Sequence, residues 1–147
     1  MERTHRIDYY LKMALMVAER STCSRGKVGA ILTNHNRIVG VGYNGGPKGT
    51  KHCIDKLVHT ACGCITDELG RCAISIHAEV NAILSREGQH QPTDELVMYC
   101  THQSCRHCYR IMKQYGVSII YYIKEYPDDV RDKLRNEWNL PMNQVTL

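Results

Sequence analysis

Cys105 and Cys108 stand three residues apart at the start of a helical pattern, and that spacing constrains the chain more than any other feature of its sequence. Side chains three apart share a helix face, so both sulfurs lie over one N-terminal turn. The partial positive charge of a helix start favours thiolate, the form that binds metal. The chain carries eight cysteines. Its first residues, Met1-Glu2-Arg3-Thr4-His5-Arg6, do not read as a secretory signal, and no apolar run approaches membrane-spanning length. A cytoplasmic location is therefore expected, where clustered thiols point to metal before disulfides. By itself, a C-x-x-C also fits a redox pair or half of a structural zinc site.

The length of 147 residues suits a single domain around one hydrophobic core. With 43% apolar and 23% charged residues the chain reads as globular. There is no Phe, so nine Tyr and Trp138 supply the aromatic bulk. A net charge of +4 is compatible with an anionic ligand and too small to argue for a nucleic-acid surface. Ile7, Tyr10, Leu11, Ala14, Leu15 and Ala18 follow helical spacing, which predicts a helix over Asp8 to Arg20. Val28 to Thr33 and Arg37 to Tyr43 read as a hairpin turning at Asn34-His35-Asn36. Further helices are expected over His77 to Arg86, Cys105 to Tyr115 and Asp128 to Trp138, with strands over Leu96 to Thr101 and Val117 to Ile123. The alternation predicts an α/β fold, a largely parallel sheet and helices on both faces. Residues 44–72 form an irregular, Cys-rich insertion that needs something to tie it down.

His77-Ala78-Glu79 opens the helix before the C-x-x-C helix. His77 can add a third ligand to Cys105 and Cys108, leaving the fourth tetrahedral position open, as catalytic zinc requires. Zn2+ in such a site lowers the pKa of a bound water to about 7. Glu79, two residues after the His, can carry that water's proton to a departing amine without being a ligand. The arrangement resembles the H-x-E…P-C-x-x-C signature of zinc-dependent deaminases, in which activated water attacks C4 of a cytosine ring. Ser104 stands where the signature has Pro. A Ser there can cap the helix with its hydroxyl, where Pro would start it.

Further strings resemble the deoxycytidylate (dCMP) deaminase family, including the competence-operon proteins of Gram-positive bacteria. They are Ser21-Thr22-Cys23-Ser24-Arg25, Val28-Gly29-Ala30, Gly42-Tyr43-Asn44-Gly45, His52-Cys53, His77-Ala78-Glu79-Val80-Asn81-Ala82-Ile83-Leu84 and Tyr121-Tyr122…Tyr126. The resemblance runs from about residue 8 to 130. It implies a three-layer α/β/α fold with a central mixed five-stranded sheet. It implies hydrolysis of dCMP to dUMP and ammonia, which supplies thymidylate synthesis, by a homo-oligomer, often a hexamer, activated by dCTP and inhibited by dTTP. It carries the catalytic zinc to His77, Cys105 and Cys108 and the proton shuttle to Glu79. Asn44, Arg25, Arg86 and Tyr126 fall at or near nucleotide-contacting positions; the two arginines also read as surface charges and Tyr126 as a core or rim aromatic. A second, structural zinc is implied at Cys23, Cys53, Cys72 and Cys64, with Cys62 the alternative to Cys64. Lys48, Lys51, His52 and Lys56 make the insertion basic, which suits a phosphate or a solvated surface. Two other readings stand beside this one. One is a different zinc deaminase, acting on cytidine, a tRNA adenosine or a riboflavin-pathway pyrimidine. The other is a catalytically silent nucleotide-binding zinc protein.

Overall fold

The computed structural model describes residues 1–53 and 65–147. Helix α1 spans Arg6–Ala18, strands β1 and β2 span Gly29–Asn34 and Arg37–Tyr43, and α2 spans Ala78–Leu84. Then follow β3 (Leu96–His102), α3 (Arg106–Tyr115), β4 (Val117–Lys124), α4 (Asp129–Glu137) and β5 (Met142–Gln144). The helices and the first four strands fall where periodicity puts them, shifted by a few residues at their ends. Strand β5 is new. It lies in the stretch after Trp138, which carries no readable motif, and it is set by its pairing with β4 rather than by its own three residues.

The sheet has the order β2-β1-β3-β4-β5. It is a mixed five-stranded sheet, as the family resemblance implies, and not the largely parallel one that the alternation of elements alone suggests. Pairs β3/β4 and β4/β5 are parallel, whereas β1 is antiparallel to both β2 and β3. The cause is topological. The β1–β2 hairpin forces antiparallel pairing, with His35 and Asn36 at φ 46 and 63 in the turn. From β2 the chain crosses through α2 and enters β3 on the far side of β1. There β3 runs parallel to β2 and hence against β1.

The strands alternate their side chains between two apolar layers. Ala30, Leu32, Met98, Cys100 and Ile120 face α2 and α3, whose Ala82, Tyr109 and Met112 complete that layer, and Leu134 and Trp138 of the α4 region pack on the same side. Ile31 and Tyr99 face the opposite way, against Tyr10, Leu11 and Ala14 of α1. The molecule is thus a three-layer α/β/α arrangement, with one helix layer on each face of the sheet.

Helix α2 lies directly on β2 because β2 lacks side chains at two positions. A Cβ on Gly42 would come within 2.1 Å of the Ala78 carbonyl oxygen and 2.3 Å of Ala82 N. A Cβ on Gly40 would come within 2.1 Å of the Ala82 carbonyl oxygen. This backbone contact fixes the height of α2 above the sheet, and with it His77 at the helix start. Replacing Gly42 by Ala is expected to cost about 1–3 kcal/mol through overpacking. At about 3 °C per kcal/mol the Tm falls by several degrees. Gly26→Ala, whose Cβ would meet nothing within 4 Å, leaves it nearly unchanged in the same calorimetric scan.

Candidate active site

His77 and Cys105 are the N-cap residues of α2 and α3, both with extended backbone and neither with a side-chain capping bond. Cys108 and Glu79 sit in the first turns of these helices. The two helices lie side by side on one sheet face, so their N-termini bring the three expected ligands together. His77 Nδ1 lies 3.4 Å from Cys105 Sγ and 3.3 Å from Cys108 Sγ. Among the described residues, this is the group of three His, Cys, Asp or Glu side chains whose ligand atoms all lie within 4.8 Å of one another. Tetrahedral zinc, with Zn–S of about 2.3 Å and Zn–N of about 2.0–2.1 Å, would place N and S ligands roughly 3.6 Å apart. The donor set therefore fits such an ion with little adjustment.

The electrostatics point the same way. A hydrogen bond from Cys108 and the adjacent His77 bring the Cys105 thiol down to about 3 despite its burial. The bond to Cys105 in turn raises His77 to about 8. Cys108 is pushed far up by the Cys105 thiolate beside it and by burial. Glu79, almost wholly buried, is raised by desolvation. The cluster thus holds one thiolate, one thiol and one imidazolium, a charge pattern that a divalent cation would replace with two thiolates and a neutral imidazole.

A cleft of about 470 Å³ opens over these groups. Arg25, Asn44 and Tyr126 line it together with His77, Glu79 and Cys105. Asn44 is heavily engaged: its Oδ1 accepts from Ser21 Oγ at 2.6 Å and from Val28 N at 2.8 Å, and its Nδ2 donates to the Gly26 carbonyl at 2.7 Å. Arg86 is not brought to the cleft. Its guanidinium is nearly buried, 2.8 Å from Asp94, and also bonds the Tyr115 hydroxyl.

Of the second cysteine set, Cys53 Sγ and Cys72 Sγ stand 3.9 Å apart, and Cys23 and Cys72 line the same cleft. Cys62 and Cys64 lie outside the described residues. The base of the insertion is closed by paired backbone bonds between Gly45 and Ile76. The capping expected of Ser104 is not met. Cys105 is the N-cap, and the buried Ser104 hydroxyl caps no N–H of α3; it lies beside the Glu79 carboxyl and the Cys100 thiol instead. Sequence reasoning also passed over Arg71, Arg106, His102 and Asp128, which line the cleft. Only Asp128 carried a usable signal, as an N-cap residue at the start of a predicted helix.

Residues 4–124 match the family model described as the cytidine and deoxycytidylate deaminase zinc-binding region. The chain belongs to this family. Among its relatives, ComE operon protein 2 of Bacillus subtilis (strain 168) is 37% identical over 126 residues, covering 86% of this chain and 63% of that protein. The chain thus spans somewhat less than two thirds of that relative's length. A deoxycytidylate deaminase of Mycobacterium phage D29 is 33% identical over 132 residues, covering 85% of this chain and 99% of the phage protein. A crystal structure of a dCMP deaminase from cyanophage S-TIM5, in complex with dCMP and dUMP, superposes with a TM-score of 0.73 at 28% identity, covering 99% of this chain and 100% of that one.

Metal binding at this cluster would have a proton signature. Near pH 7 the uptake of Zn2+ is expected to displace the His77 proton and the Cys108 proton, about two in all. Above pH 8 the imidazole has already lost its proton, because its pKa is about 8, and the release falls toward about one. Titration calorimetry in buffers of different ionisation enthalpy measures the count at each pH.

Proposed function

We propose that the chain is a zinc-dependent deaminase that converts dCMP and water to dUMP and ammonia. The observation that carries this reading is Glu79, a buried carboxylate on the wall of the cleft that also holds the His77, Cys105 and Cys108 cluster. A purely structural metal site has no use for such a group. The substrate follows from the relatives: the phage D29 protein is a deoxycytidylate deaminase, and the S-TIM5 structure holds dCMP and dUMP.

His77, Cys105 and Cys108 would hold Zn2+, which supplies a Lewis acid able to ionise water near neutral pH. Glu79 passes one proton of the attacking water to ring N3 as the C4–O bond forms. It then passes the second, from the new C4 hydroxyl, to the exocyclic nitrogen, so that the C4–N bond breaks, ammonia leaves and C4 keeps a carbonyl oxygen beside a protonated N3. Burial raises the carboxyl toward neutrality, so it can hold each proton between pick-up and delivery. Asn44 has one amide N–H left beyond its bond to Gly26, and this N–H is its means of contacting a nucleotide oxygen. Arg25, Arg71 and Arg106 line the cleft. Arg71 is paired with Asp67 and Arg106 with Asp128. That leaves Arg25 as the lining guanidinium without a carboxylate partner among the described residues and the one best suited to a nucleotide phosphate, and Tyr126 adds an aromatic surface.

The same reading takes residues 1–147 as one deaminase domain, with its core over about 8–130 and the insertion over 44–72. A structural zinc is assigned to Cys23, Cys53 and Cys72 with Cys64 or Cys62. The separation of 3.9 Å between Cys53 and Cys72 supports it, since tetrahedral thiolates stand roughly 3.8 Å apart. A cytoplasmic homo-oligomer, a hexamer by family resemblance, with dCTP as activator and dTTP as inhibitor, completes the proposal. No described helix is long and apolar enough to cross a membrane.

Ammonia release by the zinc-loaded protein is expected from dCMP in preference to cytidine or dCTP. Glu79→Gln lowers kcat by about 10²–10⁴-fold, while bound zinc, measured by elemental analysis, stays at the wild-type level. Full turnover by Glu79→Gln would end the proton-shuttle mechanism. Ser104 in place of the signature proline favours a second reading, a silent nucleotide-binding protein. Nucleotide binding without turnover by the zinc-loaded wild type would establish it.

A further inference from the structure

Cys105 occupies a position with conflicting demands. The first N–H groups of a helix have no intrahelical acceptor, and an N-cap side chain ordinarily supplies one. Cys105 is the N-cap of α3 and makes no such bond. Its sulfur is turned to His77 instead. The preceding residue does not help, since the buried hydroxyl of Ser104 accepts no N–H of α3. Nor does Ser104 lock its own φ, as a proline would.

Both deficits are met from α4. Asp128, the N-cap of α4, accepts the Arg131 N–H of its own helix through Oδ1 at 3.1 Å. Its Oδ2 accepts the backbone N–H of Arg106, the first residue of α3, at 2.8 Å. One carboxylate therefore caps two helices. The Arg106 side chain adds a second hold, with Nε 3.2 Å from Oδ2 and Nη2 2.9 Å from Oδ1. On the other side of Cys105, Nη1 of Arg131 donates to the Ser104 carbonyl at 2.9 Å and to the Tyr126 carbonyl at 2.6 Å. Arg131 is 2% exposed, and its Nε and Nη2 are both held by Asp132.

We propose that Asp128 and Arg131 form a backbone clamp on the two peptide groups flanking Cys105, in place of the proline that the deaminase signature puts at position 104. The inference rests on the reading of Cys105 as a metal ligand. These are positioning residues: they act on the backbone that carries the sulfur and touch no reacting atom. Because Arg131 also holds the Tyr126 carbonyl, the clamp ties the metal loop to the cleft wall in one rigid unit.

Three measurements on the 147-residue chain test it. Backbone amide exchange at Arg106 reads the clamp without reference to metal, and Asp128→Asn should speed it by about tenfold or more. Transfer of zinc from the loaded protein to a chromogenic chelator should speed up by about 10–100-fold in Asp128→Asn or Arg131→Lys, the usual effect of losing a group that orients a ligand. The Asp94→Asn variant, which weakens the distant ion pair with Arg86, reports general destabilisation and should release zinc at close to the wild-type rate. Adding Ser104→Pro should restore zinc retention in the Asp128→Asn background while changing little in the wild type, a non-additive result.

Unchanged exchange at Arg106, zinc release no faster than in Asp94→Asn, or an equal effect of Ser104→Pro in both backgrounds would each overturn the clamp. The metal reading fails separately, if Cys105→Ser leaves the zinc stoichiometry and the cobalt–thiolate absorption of the cobalt-loaded protein unchanged.

Discussion

Two helix N-termini meet over one face of the sheet, and the chemistry of the cleft depends on that meeting. The approach is set by β2, where Gly40 and Gly42 let the backbone of α2 rest on the strand. With α3 alongside, two partial positive poles converge on His77, Cys105 and Cys108, which favours thiolate over thiol. The protein side chains satisfy only part of this bias. Cys105 is held as a thiolate by its neighbours, while Cys108 is driven strongly toward the neutral thiol by that same negative charge. A second thiolate needs a second positive charge, so the site asks for a divalent cation on electrostatic grounds as well as by its donor geometry.

Glu79 is subject to the same fields with the opposite chemistry. Its place in the first turn of α2 favours the carboxylate, whereas nearly complete burial favours the acid. The balance falls toward a raised pKa. That opposition of burial and helix start is the setting in which a carboxyl can serve as a proton carrier between water and amine.

The features legible in the sequence are those set by short-range physics. Cys105 and Cys108 share a turn because of their spacing, and the helices behind His77 and Cys105 announce themselves by periodicity. The features that escaped are set by partners far away in the chain. Strand β5 is three residues long, and only Met142 among them is buried, so neither length nor alternation marks it. The antiparallel pairing of β1 with β3 follows from a crossover that no local pattern encodes. Arg86 looks like a free cation until Asp94, eight residues on, is seen to bury it. Asn44 was legible as a cleft residue, but not as the residue that pins Ser21, Gly26 and Val28 to one another.

Ser104 shows how a motif position can change while the geometry it serves is kept. A proline restricts the backbone by itself, through its ring, whatever the rest of the fold does. A serine leaves the restriction to hydrogen bonds from elsewhere, here from Asp128 and Arg131 on α4. The two solutions differ in what they connect. The ring acts only on the metal loop, whereas Arg131 grips that loop and the backbone of Tyr126 with the same nitrogen. In this chain one buried side chain therefore joins the backbone before Cys105 to the wall of the cleft.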